Sequence, residues 1–253
     1  MDDFNICLRN LLDIGREKLL MSLNSEKQKK ELNKALLLDM FFKYEPGDEE
    51  NKPIIPLDSF YSCVYYNFME ILQIFKNLQN IVKYISYFPR TTSQSEKVNY
   101  LRFLIGAYLN EAYRLEERLK MFIKKVIRKY KNDSRYLMIN KIGKNLIQLV
   151  ENSMENIKKI RHNHVHERRF NDKEIERAES VIVYEEMIEE IKEILPKRIL
   201  PSFKKDFKKA RENWKKIFVR NNSDIKYLLD SVFLEINKII FTEDKKLIYP
   251  EKL

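Results

Sequence analysis

The three histidines of this 253-residue chain fall within five positions, His162, His164 and His166, in the run Ile160-Arg161-His162-Asn163-His164-Val165-His166-Glu167-Arg168-Arg169-Phe170. Imidazole is the side chain whose ordinary pKa lies closest to neutrality, so one short segment gathers the groups best suited to moving a proton at physiological pH. At its head, Arg161 adds a permanently charged planar fork that matches phosphate geometry.

Three chemistries draw on such a set. A metal site would use His162 and His166, which share a helical face at i and i+4, but it needs further ligands. Glu167 is the one local carboxylate and no HExxH pattern is present, so no metal is expected. A structural role would place the imidazoles at a helix end, near the negative pole of the dipole. That suits a lone histidine better than three flanked by Arg161, Arg168 and Arg169. Phosphodiester cleavage fits best. Cutting RNA needs a base for the 2'-hydroxyl proton, an acid for the departing 5' oxygen and a cation against the charge on the non-bridging oxygens; His and Arg supply these without metal or cofactor. Arg161 and His166 are five residues apart, about 140° around an ideal helix. They converge only where the segment kinks or where a second chain completes the site, as a symmetric dimer would allow.

The segment has to be held by helices. Only four glycines occur, and no stretch alternates with period two for long enough to make a strand. Apolar spacing predicts helices over 4–21 and 25–43, a polar loop from Glu45-Pro46-Gly47 to Pro56, and a helix capped by Asp58 that runs to about Phe88. A helix from about Ser95 to Lys131 follows, with Leu101, Leu104, Tyr108, Leu115, Leu119, Phe122 and Val126 inward and one gap in their spacing. After Asn132-Asp133-Ser134, a helix with Ile139, Ile142, Leu146, Leu149, Met154 and Ile157 inward runs straight into Arg161. Two more are predicted at about 173–195 and 201–219, and Asn221-Asn222-Ser223 reads as the cap of a last helix, about 224–241. In the 201–219 helix, Phe203, Phe207, Trp214 and Phe218 interleave with lysines; core packing accounts for that spacing better than base stacking. The expected fold is all-α, a bundle of long antiparallel helices. Residues 1–45 read as an N-terminal helical pair packed on a bundle formed by 46–253, or the whole of 1–253 as one domain.

Composition sets the partners. An apolar fraction of 44% suits a globular protein, and no apolar run approaches the length of a membrane span. The N-terminus lacks a secretory pattern, and Cys7 and Cys63 lie in apolar helical patterns without CxxC spacing, so a cytoplasmic protein with reduced core thiols and no membrane contact is expected. The net charge of +10 favours a nucleic acid, although abundant Lys, Asn, Ile and Tyr also match a low-GC coding bias. Two runs concentrate that charge: ten bases against two acids from Lys197 to Arg220, and seven bases with no acid from Arg118 to Lys131. The stretch Glu174 to Glu193 is mostly acidic, so a polarised molecule is expected. Solvated helix faces would account for either basic run alone.

At Arg161-His-Asn-His-Val-His166 the chain resembles the R-x4-6-H motif of the HEPN superfamily (higher eukaryotes and prokaryotes nucleotide-binding), with a polar residue after the Arg and an apolar one before the His. The resemblance implies an all-α domain that dimerises so that two motifs face one cleft, acting in many members as a metal-independent endoribonuclease of toxin–antitoxin pairs or phage defence. It would make Arg161 the phosphate and transition-state clamp and His166 the general acid or base, with Asn163 orienting the scissile phosphate. His162, His164, Arg168, Arg169, Lys158 and Lys159 are then the expected RNA contacts. An antitoxin or defence-system partner is implied as well. Members restrained by a partner nucleotidyltransferase carry a Tyr two residues beyond the motif His, where this chain has Arg168. The other class of function these residues fit is a non-catalytic module that binds a nucleotide, RNA or a protein.

Overall fold

The computed structural model describes residues 3–21, 59–87, 93–162, 173–183 and 202–251. These form six helices: α1 (Asp3–Met21), α2 (Ser59–Tyr84), α3 (Gln94–Lys129), α4 (Tyr136–His162), α5 (Lys173–Val183) and α6 (Phe203–Ile240). The fold is an all-α bundle, and the sole strand-like pairing among the described residues is one antiparallel bridge between Phe241 and Leu247. The second helix of the expected N-terminal pair, the 45–57 loop and residues 184–195 lie outside the described residues.

Helix α3 is the central member. Its start is defined by a capping box, in which the Ser93 hydroxyl accepts from the Glu96 N–H and the Glu96 carboxylate accepts from the Ser93 N–H. Helices α2 and α4 both run antiparallel to it. The order of contacts shows this: Asn77 meets Glu111 and Asn67 meets Lys125 on one side, while Arg161 meets Asn110 and Glu151 meets Lys120 on the other. Helix α6 packs beside α3 through the Tyr108–Phe218 stack at 4.0 Å and the Phe122–Phe233 stack at 5.7 Å. Phe4 of α1 joins Phe68 and Phe233 in the same core, so α1 is seated on α2 and α6. Most inward faces agree with the apolar spacing, and buried Ala112 fills the gap in the α3 stripe.

Two expectations are corrected. Residues 221–223 do not cap a separate helix; α6 is continuous from Phe203 to Ile240. The polar side chains find other partners: the Tyr108 hydroxyl donates to Asn222 Oδ1 at 2.8 Å, Asn222 Nδ2 donates to the Leu78 carbonyl at 3.3 Å, and Ser223 donates back to the Val219 carbonyl at 3.2 Å. With those groups satisfied across the bundle and along the helix, there is no reason for the backbone to break. Leu149 is the second: it is exposed, and Val150 takes the inward position. Leu149 instead lies on the wall of a cleft of about 490 Å³ between α4 and α6. Of the aromatic stripe, Phe207, Trp214 and Phe218 are buried in the core as expected.

Candidate active site

Arg161 is delivered by the same periodicity that buries α4. Leu146, Val150, Met154 and Ile157 form the inward stripe, and four residues on from Ile157 the stripe meets Arg161 in the last turn. Gly143 sets how closely that stripe lies on α3, because a Cβ there would run into Ile127. The close approach fixes the register of the antiparallel pair and places the end of α4 opposite Asn110 and Tyr113.

There the Arg161 guanidinium lies over the Tyr113 ring, 4.2 Å from its centroid, and Nε donates to Asn110 Oδ1 at 3.3 Å. Among the described residues Arg161 makes no ion pair, and neither Nη atom has a hydrogen-bond partner. The ring face balances the cation without using its outer edge. A planar cation held along one edge and one face, with two donor nitrogens open, is suited to a phosphate.

The neighbouring lysines are placed differently. Lys158 is one turn before Arg161, and its ammonium lies 2.9 Å from Glu116 Oε1. Glu116 is wholly buried and also receives Lys120 at 3.0 Å. Lys158 therefore spends its charge inside the α3–α4 seam. Lys159 is exposed and pairs with Glu155 at 2.8 Å, one turn earlier on the same helix. His162 closes α4 and is exposed. Lys159, Arg161 and His162 together set basic side chains at the negative end of the α4 dipole. Asn163, His164, His166, Arg168 and Arg169 lie outside the described residues.

The charge runs turn out to be partly internal. In the 118–131 run, Arg118 pairs with Glu70 at 2.8 Å, Lys120 with Glu117 at 2.6 Å, and Lys125 donates to Asn67 at 2.8 Å. The described part of the acidic stretch binds bases of other helices: Glu179 takes Arg102 in a two-pronged pair, and Glu174 takes Lys209 at 2.8 Å. Glu174 and Glu179 thus hold α5 to α6 and α3, and the rest of the acidic stretch, 184–193, lies outside the described residues. Lys204, Lys205, Lys208, Lys215, Lys216 and Arg220 stay exposed on α6, spread over nearly half of its circumference.

Among the described residues no group of three or more His, Cys, Asp and Glu is arranged to hold a metal ion; His164 and His166 are not among them. Cys7 and Cys63 are free, and burial pushes the Cys7 thiol far above its ordinary pKa, so it stays protonated. No described helix is long and apolar enough to cross a membrane. No family model, curated protein or solved structure matches the chain. Sequence reasoning missed Asn110, Tyr113 and Glu116. Only Glu116 left a trace, as a carboxylate standing in the buried stripe between Ala112 and Leu119.

Proposed function

We propose that this chain is a metal-independent endoribonuclease of HEPN type, working as a cytoplasmic homodimer in which Arg161 and His166 of two subunits face one cleft. The observation that carries this reading is the state of Arg161: oriented by Tyr113 and Asn110, unpaired by any carboxylate among the described residues, with both Nη atoms open. A structural arginine at a helix end would be expected to spend those donors on carbonyls or acids. The attacking group is the substrate's own 2'-hydroxyl. His166 serves as general acid or base, Arg161 neutralises the charge gathering on the non-bridging oxygens, and Asn163 orients the phosphate; the products are a 2',3'-cyclic phosphate and a 5'-hydroxyl. The setting that suits such an activity is a toxin–antitoxin pair or phage defence, with a partner that restrains cleavage.

The test is a cleavage assay on labelled RNA. Cleavage is expected to persist in EDTA, DNA of the same sequence is expected to resist because it lacks the internal nucleophile, and Arg161→Ala and His166→Ala are each expected to abolish product while keeping the helical circular dichroism spectrum. Activity lost in EDTA and restored by zinc would overturn the metal-free mechanism. Salt-dependent RNA binding without product ends under any condition would make the chain a binding module.

A further inference from the structure

The cleft between α4 and α6 has a lining that the proposed catalytic residues do not use. Leu149, Met154, Ile157, Ile217, Ile225 and Leu228 supply its apolar walls, and Ser153 and Asn156 of α4 and Arg220 and Asp224 of α6 are among its polar lining. The side chains of those four polar residues make no hydrogen bond or ion pair among the described residues. Apolar walls with a few open polar groups are what a nucleobase requires, and about 490 Å³ lies within the range of small-ligand sites. Tyr227 stands at the mouth with 77% of its surface exposed, a ring on which a neighbouring base can stack.

We infer that this cleft takes an unpaired guanine of the RNA strand, read by Asp224 and Asn156 and anchored through its phosphate by Arg220. The inference rests on the reading that the chain handles RNA. A carboxylate only accepts hydrogen bonds, and of the four bases guanine alone presents two adjacent N–H donors on one edge, N1–H and the exocyclic amine. The Asn156 amide can donate to O6 beside them. Exposed bases add a general attraction for a strand: Lys204, Lys205, Lys208, Lys215 and Lys216 are exposed along the half of α6 that ends at Arg220, mostly on faces turned away from the cleft. The cleft also ends near the motif. Asn156 and Arg161 are on one helix, about 7.5 Å apart along its axis. One strand can thus lay a base in the cleft and pass a nearby phosphate around the end of α4 to Arg161.

Fluorescence anisotropy with short 2'-O-methyl oligouridines carrying one central G, A or inosine tests this, because those probes bind but cannot be cleaved. Guanine is expected to bind roughly tenfold tighter than adenine, with inosine between them for want of the amine. Asp224→Asn is expected to erase the preference for guanine over adenine, and Arg220→Ala to weaken all three alike and lower the salt slope by about one. Both residues are exposed, so an unchanged circular dichroism spectrum controls for folding. Equal affinities in the wild type, a preference that survives Asp224→Asn, or no binding of any probe would overturn the inference. Cleavage of RNA without a guanine preference would sink the cleft and spare the nuclease; a guanine preference in a chain that never cleaves would do the reverse.

Discussion

Removing the Lys158 ammonium should cost stability and spare RNA binding. Glu116 is wholly buried between α3 and α4, with Oε1 2.9 Å from Lys158 and 3.0 Å from Lys120, and Oε2 buried without a hydrogen-bond partner among the described residues. Breaking a buried pair by deleting one partner costs about 3–5 kcal/mol when the other charge is stranded. Here Lys120 remains, and the Lys158 side chain is 41% exposed, so water already screens part of the interaction. Lys158→Ala is therefore expected to cost ~1–2 kcal/mol, lowering Tm by roughly 2–8 °C for a domain of this size. Urea unfolding followed by far-ultraviolet circular dichroism measures it. The double variant Glu116→Leu/Lys158→Ala should recover most of the loss, because it removes the buried charge while Lys120 keeps Glu117 at 2.6 Å and Glu151 at 3.8 Å. Well below the transition, the single variant should keep wild-type RNA affinity and salt slope. A stability change within a few tenths of a kcal/mol, a double variant weaker than the single, or a salt slope lowered by about one would each refute the assignment of Lys158 to the seam.

Two further outcomes follow from the site and from the loop behind it. Tyr113→Phe keeps the ring beneath Arg161 and should keep the cleavage rate, whereas Tyr113→Leu should lower kcat roughly tenfold with little change in KM, because the guanidinium loses its seat and not its charge; single-turnover kinetics on labelled RNA decide it, and equal rates for Phe and Leu would contradict it. Asp133 is buried between α3 and α4 and takes the Arg135 guanidinium at 2.9 Å on both oxygens, which, with the Arg135 and Glu251 N–H groups, holds its carboxyl well below the usual range. Its contribution is fully present above the unfolded value of about 4 and is lost as pH falls below that toward the folded value, since the unfolded chain then binds the proton first. Urea midpoints followed from neutral pH into that acid range should fall more steeply for the wild type than for Asp133→Asn, and parallel curves would contradict the assignment.

Much of the helical layout could be read along the chain, because the 3.6-residue repeat of apolar side chains is a local property. It places α1, α2, α3 and α4 within a few residues of their observed ends and assigns most inward faces, including Leu101, Leu119 and Met154. It fails at Asn221-Asn222-Ser223, where capping residues lie inside a continuous helix because Tyr108 and the Leu78 carbonyl, 114 and 144 residues distant in sequence, satisfy Asn222. Leu149 fails for the related reason that its neighbour α6 stands off to leave a cleft.

The candidate site divides along the same line. The run of residue types from Arg161 to His166, the helix that ends there and the overall positive charge are all written in the order of residues, because residue type and local period need no distant partner. Which cations remain available is not. Lys158, Lys120, Arg118 and Arg102 are engaged by Glu116, Glu70 and Glu179, while Arg161 is set on Tyr113 and left open. Those pairings join residues 42 to 77 apart in the chain, except for Lys120 with Glu116 at one turn. The pairings of Lys158 and Arg161 exist only once α3 and α4 have closed to a register set by packing at Gly143 and Ile127, and those of Arg118 and Arg102 only once α2 and α5 have packed on α3; one-dimensional periodicity carries no information about which face of a neighbour it will meet.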